Sequence, residues 1–334
     1  MRGEETRREI IEQPELMRRA FTILSTPAKY AAETLAGRSF IYAVGEGPSL
    51  HPAVLLRRAL PRSGGPQAVY LSASEFPSWL PDRPKNPAMV AFSEIGEERE
   101  ILEAVSVLRR RSEGAPVVSI LGAPGSSLHR ISDFALVFAP GPRRMGLFSP
   151  MAVAGLLLVS ELSKLIGMSA RAFSLKGELE SAPDMASEAL QRAENYVHVV
   201  AESFNKAKST FIVAEPPLLA AAMEFAFRLS VFSGILVEVS SPTEFLATKH
   251  RMVSEGTPVL VLEPERSPEV VPAAERYGAE VIEIGPSGPD LPLGVEPGRE
   301  VASLVYAPTL LLLVLEVTLL RGLDPDEMEA IWYE

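Results

Sequence analysis

Cysteine is absent from the 334 residues. That absence excludes disulfides, zinc–thiolate centres and any cysteine nucleophile. Histidine is scarce: four scattered copies make a poor ligand set, so neither a metal nor a cofactor is expected. Basic residues are outnumbered, 32 Lys and Arg against 43 Asp and Glu, for a net charge of -11. A nucleic-acid binder needs a basic face to displace phosphate counterions, so nucleic acid is excluded as a partner. No apolar run is long enough to cross a bilayer. The strongest, Leu310–Leu320, is short and contains Glu316, so it predicts a buried helix and no membrane partner. The charged start, Met1 to Arg8, is no secretion signal, and the expected location is cytoplasmic.

What is present is an alternation. Apolar runs of strand length alternate with helical patterns, the signature of parallel sheets wrapped by helices. The first set of strands is expected at Phe40–Val44, Ala68–Ser72, Met89–Phe92, Val117–Leu121 and Phe134–Phe138. A long apolar helix follows Ser149 and ends at Gly167. After a polar helical bridge, strands restart at Thr210–Ala214, Ile235–Ser240, Pro258–Leu262 and Glu280–Ile284, with a closing helix over Ala307–Leu320. With 47% hydrophobic residues the chain can fill two cores. The expected fold class is α/β: two doubly wound parallel-sheet halves joined by a helical linker. The expected bounds are 1–35 for an N-terminal helical segment, 36–170 for the first half, 171–208 for the linker and 209–334 for the second half.

Two strand-end loops carry ligand-binding chemistry. In Gly45-Glu46-Gly47-Pro48-Ser49 the glycines let backbone approach a ligand and Ser49 can cap a helix or touch a phosphate. A plain strand–helix turn reads the same way, and a dinucleotide site is disfavoured because the third glycine of that fingerprint is missing. The second loop is Ser93-Glu94-Ile95-Gly96-Glu97-Glu98, where a buried strand breaks before a helix and offers a hydroxyl and unpaired N–H groups. It also carries carboxylates, and a carboxylate beside a phosphate dianion costs on the order of a few kcal/mol in a half-buried site. Arg143 and Arg144 either offset that charge or form a solvated pair.

These segments, in order, resemble the SIS (sugar isomerase) family, which includes the isomerase half of glutamine–fructose-6-phosphate aminotransferase and the archaeal glucosamine-6-phosphate deaminases. Glu9 to Pro14 is similar to the family's opening segment, Val44 to Ser49 to its first glycine loop, and Ser72-Ala73-Ser74-Glu75-Phe76 to its Ala-Ser-Glu-Phe segment. Ser93 to Glu98 resembles the Ser-x-Ser-Gly-Glu-Thr phosphate loop, with Glu94, Ile95 and Glu98 replacing glutamine, serine and threonine. Gly125-Ser126-Ser127-Leu128 resembles the turn that follows. Tyr306-Ala307-Pro308 and Arg321-Gly322-Leu323-Asp324-Pro325-Asp326 resemble the closing helix and its tail.

The resemblance implies a flavodoxin-like SIS fold in both halves, a homodimer, and a sugar phosphate bound by Gly45, Gly47, Ser49, Ser93, Glu94, Gly96, Glu98, Ser126 and Ser127. It assigns ring opening to His250, in Thr248-Lys249-His250, a task that suits an imidazole with a pKa near 6.5. Threading Glu224 to Val231 onto the family's catalytic helix puts Val231 at the base position and Arg228 at a lysine. Glu238, Glu244 and Glu224 are the candidates to move the proton instead, Glu238 and Glu244 first. The family's C-terminal lysine has no counterpart in the tail Ala330 to Glu334. The implied activity is aldose–ketose isomerisation or deamination of a hexose or amino-sugar 6-phosphate; the alternative is a non-catalytic sugar-phosphate binder. Glutaminase activity is not expected of a chain without a cysteine to attack an amide.

Overall fold

Strand β3 shows why this sequence makes parallel sheets. Every residue of Pro87–Ser93 is buried, as both faces of a parallel strand must be when crossover helices cover them. The computed structural model describes residues 2–79, 85–139 and 143–328. The tail Ala330–Glu334 and the pair Gly141-Pro142 lie outside the described residues. The chain divides into two compact units, Glu15–Ser181 and Met1–Pro14 with Ala182–Glu334.

Three helices precede the first strand: α1 (Glu4–Ile11), α2 (Gln13–Leu24) and α3 (Pro27–Thr34). In the Glu15–Ser181 unit, β1 (Phe40–Gly45), β2 (Gln67–Ser72), β3, β4 (Val117–Leu121) and β5 (Phe134–Val137) form a parallel sheet in the order β2-β1-β3-β4-β5. Its helices are α4 (His51–Arg62), α5 (Phe76–Trp79), α6 (Arg99–Arg111), α7 (Ser127–Ile131) and α8 (Phe148–Leu165), followed by α9 (Ser169–Ala193). Helix α6 buries Ile101, Ala104, Val105 and Leu108, the i, i+3, i+4, i+7 stripe of an amphipathic helix. That stripe joins Tyr42, Met89, Ala91 and Val117 of the sheet in one core. Arg109, Arg110 and Arg111 fill its last turn, where cations complement the helix dipole. Register pairs Gly45 with Ser72 and Ser93 with Leu121, so the following loops leave from one edge.

The second sheet lies within the other unit. It is parallel in the order β10-β9-β8-β6-β7, from β6 (Ser209–Val213), β7 (Leu236–Ser240), β8 (Pro258–Leu262), β9 (Glu280–Gly285) and β10 (Leu291–Pro292). Read from β7, that is the order of the first sheet again. Helices α10 (Val197–Glu202), α11 (Leu219–Ser233), α12 (Pro242–Ala247), α13 (Val270–Glu275) and α14 (Ala302–Leu320) accompany it.

Helix α14 starts earlier than the sequence suggests and runs on through Pro308. The proline reads as a first-turn residue, yet it sits in the helix interior, where a lost hydrogen bond costs on the order of 3 kcal/mol. Burial of Tyr306, Leu310, Leu311 and their neighbours offsets this, at roughly 1.5–3 kcal/mol for each large side chain. At full length, α14 and α8 are both long and apolar enough to cross a membrane, but 83% and 89% of those stretches are buried inside the protein. Glu316, the charge that interrupts the apolar run, pairs with Arg7 of α1 and lies 3.5 Å from His198 Nδ1 of α10.

The segment after α14 ties the chain start to the fold. Asp326 accepts the Glu5 and Thr6 N–H groups at 2.9 Å each and the Thr6 hydroxyl at 2.7 Å, and Asp324 accepts the Gly3 N–H at 3.0 Å. Two carboxylates thus satisfy the orphan donors at the N-terminus of α1. Arg321 Nη1 donates to the carbonyls of Phe204, Asn205 and Ala207 at 3.0–3.1 Å. Replacing Asp326 by Ala is expected to cost about 1–2 kcal/mol, the worth of a helix cap. Faster hydrogen exchange at the Glu5 and Thr6 amides, with unchanged exchange in β3, is the result that checks it.

Candidate functional site

In a sheet ordered 2-1-3-4-5, the chain leaves β1 and β3 toward opposite faces, and the crevice outside their carboxyl ends is the default ligand position. The loops singled out in the sequence stand there. After β1, Gly45 allows the chain to fold straight back, since a Cβ on it would lie 2.4 Å from the Ser49 carbonyl oxygen. Gly47 starts a 3-10 turn over Gly47–Leu50, in which the Ser49 N–H bonds the Glu46 carbonyl at 3.1 Å, and Ser49 is left 2% exposed.

The β3 loop packs against the turn after β4. Gly96 sits at φ 73°, and a Cβ there would fall 2.1 Å from Ser126 Oγ. The Leu128 N–H donates to the Gly96 carbonyl at 2.9 Å, locking the two loops together. Ser126 caps α7 by accepting the His129 N–H at 3.3 Å, and His129 Nδ1 accepts the Gly125 N–H at 2.8 Å. Arg143 and Arg144 are half-buried in the segment leading into α8.

The donors of these loops hold the protein's own carboxylates. Ser93, fully buried, donates its hydroxyl to Glu98 and accepts the Gly96 N–H at 2.5 Å. The Ser127 N–H donates to Glu97 at 2.8 Å, and hydrogen bonding from Ser127 holds that carboxyl below its ordinary pKa. Glu94 accepts the Leu147 N–H at 3.0 Å, just before α8. Glu46 accepts the Ser72 hydroxyl at 2.7 Å and the Ser74 N–H at 2.9 Å. Of the nine ligand-binding candidates, the structure brings Gly45, Gly47 and Ser49 together in one turn. It gathers Ser93, Glu94, Gly96, Glu98, Ser126 and Ser127 in the loops after β3 and β4.

The catalytic candidates belong to the other unit. Lys249 pairs with Glu238 of β7 and lies 3.5 Å from Glu244 of α12. The hydrogen bond to Glu238 raises the pKa of Lys249. His250 is adjacent in sequence but bonds elsewhere: its Nδ1 lies 3.0 Å from the Phe245 carbonyl, and its ring meets Tyr277 edge-on at 5.3 Å. A carbonyl only accepts, so Nδ1 is the donor in this contact and Nε2 is the ring nitrogen left for a ligand. On α11, Glu224 and Arg228 form an ion pair at 2.7 Å with both side chains 1% exposed, while Val231 is half-buried.

Sequence reasoning passed over Glu263. It follows β8 at the corresponding crevice of the second sheet, buried, with the left-handed φ of 53° that glutamate rarely adopts. Its carboxylate pairs with Arg266 and accepts the Tyr306 hydroxyl at 3.3 Å. Burial, with Glu263 beside it, pushes the Tyr306 pKa far up. The signal in the sequence was the run Leu262-Glu263-Pro264-Glu265-Arg266, an acidic turn directly after an apolar strand.

Comparison with known proteins places these sites in context. The SIS domain model matches residues 34–160. Glutamine–fructose-6-phosphate aminotransferase (isomerizing) of Aeropyrum pernix is 30% identical over 343 aligned positions, which take in 96% of this chain and 55% of that protein. The chain spans about half the length of the curated relatives it matches. Among solved structures, the C-terminal domain of glucosamine-fructose-6-phosphate aminotransferase from Francisella tularensis superposes with a TM-score of 0.84 at 19% identity, covering 95% of this chain and 96% of that one. Glucosamine-6-phosphate deaminase from Thermotoga maritima gives 0.72 at 18% identity, covering 93% and 97%. At these identities the structural likeness is one of fold.

Proposed function

We propose that this chain, which belongs to the SIS-domain family and is phosphosugar-isomerase-like, binds a sugar-derived ligand in the crevice outside β1 and β3. One observation carries the reading: three loops with small or hydroxyl residues, after β1, β3 and β4, converge on the switch point of the first sheet. The sugar enzymes among its relatives support it. In this reading the two sheets derive from one duplicated doubly wound unit, and the protein acts as a cytoplasmic homodimer without glutaminase chemistry.

The Nδ1 contact of His250 with the Phe245 carbonyl, which leaves Nε2 for a ligand, favours a second reading, aldose–ketose isomerisation or deamination of a hexose or amino sugar. A histidine within reach of a sugar ring oxygen is the usual side chain for proton transfer during ring opening. Against turnover stand the ion pairs that hold Glu238 and Glu244 to Lys249, and Val231 where the base is expected. The geometry therefore favours binding over catalysis.

Proton NMR in D2O with fructose, glucosamine and their 6-phosphates separates the readings. Broadened but unchanged sugar signals are the expected result for binding. Loss of a C1 or C2 proton signal would establish enolisation instead, and His250→Asn should then slow the reaction of ring-closed sugar by about 100-fold or more. Sharp, unchanged lines for all four sugars would refute both.

A further inference from the structure

The reading above leaves open which sugars enter the crevice, and the partners of its glutamates bear on that. A phosphate is held by a set of N–H and O–H donors aimed at one point, often at a helix start. In these loops the Ser93 hydroxyl goes to Glu98, the Ser127 N–H to Glu97 and the Leu147 N–H to Glu94. On the β1 side, the Ser72 hydroxyl and the Ser74 N–H go to Glu46. Carboxylates from the loops after β1 and β3 thus occupy part of the donor set that an incoming anion would use. Since Glu97 is common to the phosphate loop that this segment resembles, Glu46, Glu94 and Glu98 carry the argument. Ser93 is fully buried and its one proton is committed, so it reaches no ligand in this arrangement. Ile95, half-buried in the same loop, offers an apolar face in place of a donor.

From this we infer that the crevice takes an unphosphorylated sugar, a neutral hexose or a hexosamine, with Glu94 and Glu98 as the residues that set the specificity. The inference rests on the reading of the crevice as a sugar site. A phosphate carries about -1.5 to -2 charges at neutral pH and would meet acceptor oxygens on both sides. A sugar hydroxyl can donate to those oxygens, and the ammonium of a hexosamine is attracted by them. Glu98 acts here as a built-in anion: its carboxylate fills the hydrogen-bonding role that a ligand's phosphate would have.

Titration calorimetry with glucosamine, fructose and their two 6-phosphates, at pH 7.5 and low salt, tests it. The free sugars should bind at least tenfold more tightly than their phosphates, and 500 mM salt should shrink that ratio by screening the repulsion. The double variant Glu94→Gln/Glu98→Thr should lose or reverse the preference. Tighter binding of a 6-phosphate by the unaltered protein overturns the inference but leaves the sugar site standing. A folded double variant with an unchanged preference also overturns it. Binding of none of the four sugars overturns the sugar site and the inference together. Should the double variant fail to fold, the ratio in the unaltered protein and its salt dependence decide the matter.

Discussion

Arg228→Met is expected to destabilise the protein by about 3–5 kcal/mol, the cost of leaving one member of a buried ion pair behind. Glu224 and Arg228 stand four residues apart on α11, each 1% exposed, with Nε and Oε1 at 2.7 Å. Removing the guanidinium takes from the buried Glu224 carboxylate its partner at 2.7 Å, on a helix that also buries Phe225 and Leu229. The double variant Glu224→Leu/Arg228→Met removes both charges at similar volume and should recover most of the loss, because two desolvation penalties vanish together. Urea unfolding measures this directly: the midpoint should fall in the single variant and return in the double, with a constant slope. A single variant within 1 kcal/mol of the parent would show that the pair holds no structural charge balance.

Gly96→Ala should cost about 2–5 kcal/mol. Two effects add. The left-handed backbone at φ 73° penalises any Cβ by roughly 1–2 kcal/mol. Steric overlap adds a further ~1–3 kcal/mol, since the new methyl would lie 2.1 Å from Ser126 Oγ and 2.6 Å from Ser126 Cβ. The second term is separable: in a Ser126→Gly background the same substitution should cost only the backbone part. Thermal unfolding of the four proteins gives the coupling between the sites. Additive losses would mean that the loops after β3 and β4 are not packed as described. Ligand binding should fall with Gly96→Ala as well, since the hydrogen bond from Leu128 N–H to the Gly96 carbonyl is what joins the two loops.

Much of the scaffold was legible without coordinates. Val117–Leu121 and Pro258–Leu262 are strands with the bounds read from sequence, because unbroken apolar runs between turn residues admit little else at that length. Both sheets and the long apolar helix after Ser149 follow the same logic. Strand β10 escaped, being only two residues with one of them a proline. The start of α14 was misjudged because local propensity at Pro308 yields to the burial of the whole helix.

That glycines, serines and glutamates meet at strand ends is written in the chain, since strand and turn patterns place loops. Which donor each glutamate holds depends on how distant segments pack. Glu46 and Ser74 are 28 residues apart, Glu97 and Ser127 30, and Glu94 and Leu147 53. A carboxylate takes whichever donor the packing of other elements brings within 3 Å, and no local pattern encodes that neighbour. The loop after β3 therefore reads as an anion cradle along the chain and folds with that cradle filled by its own side chains.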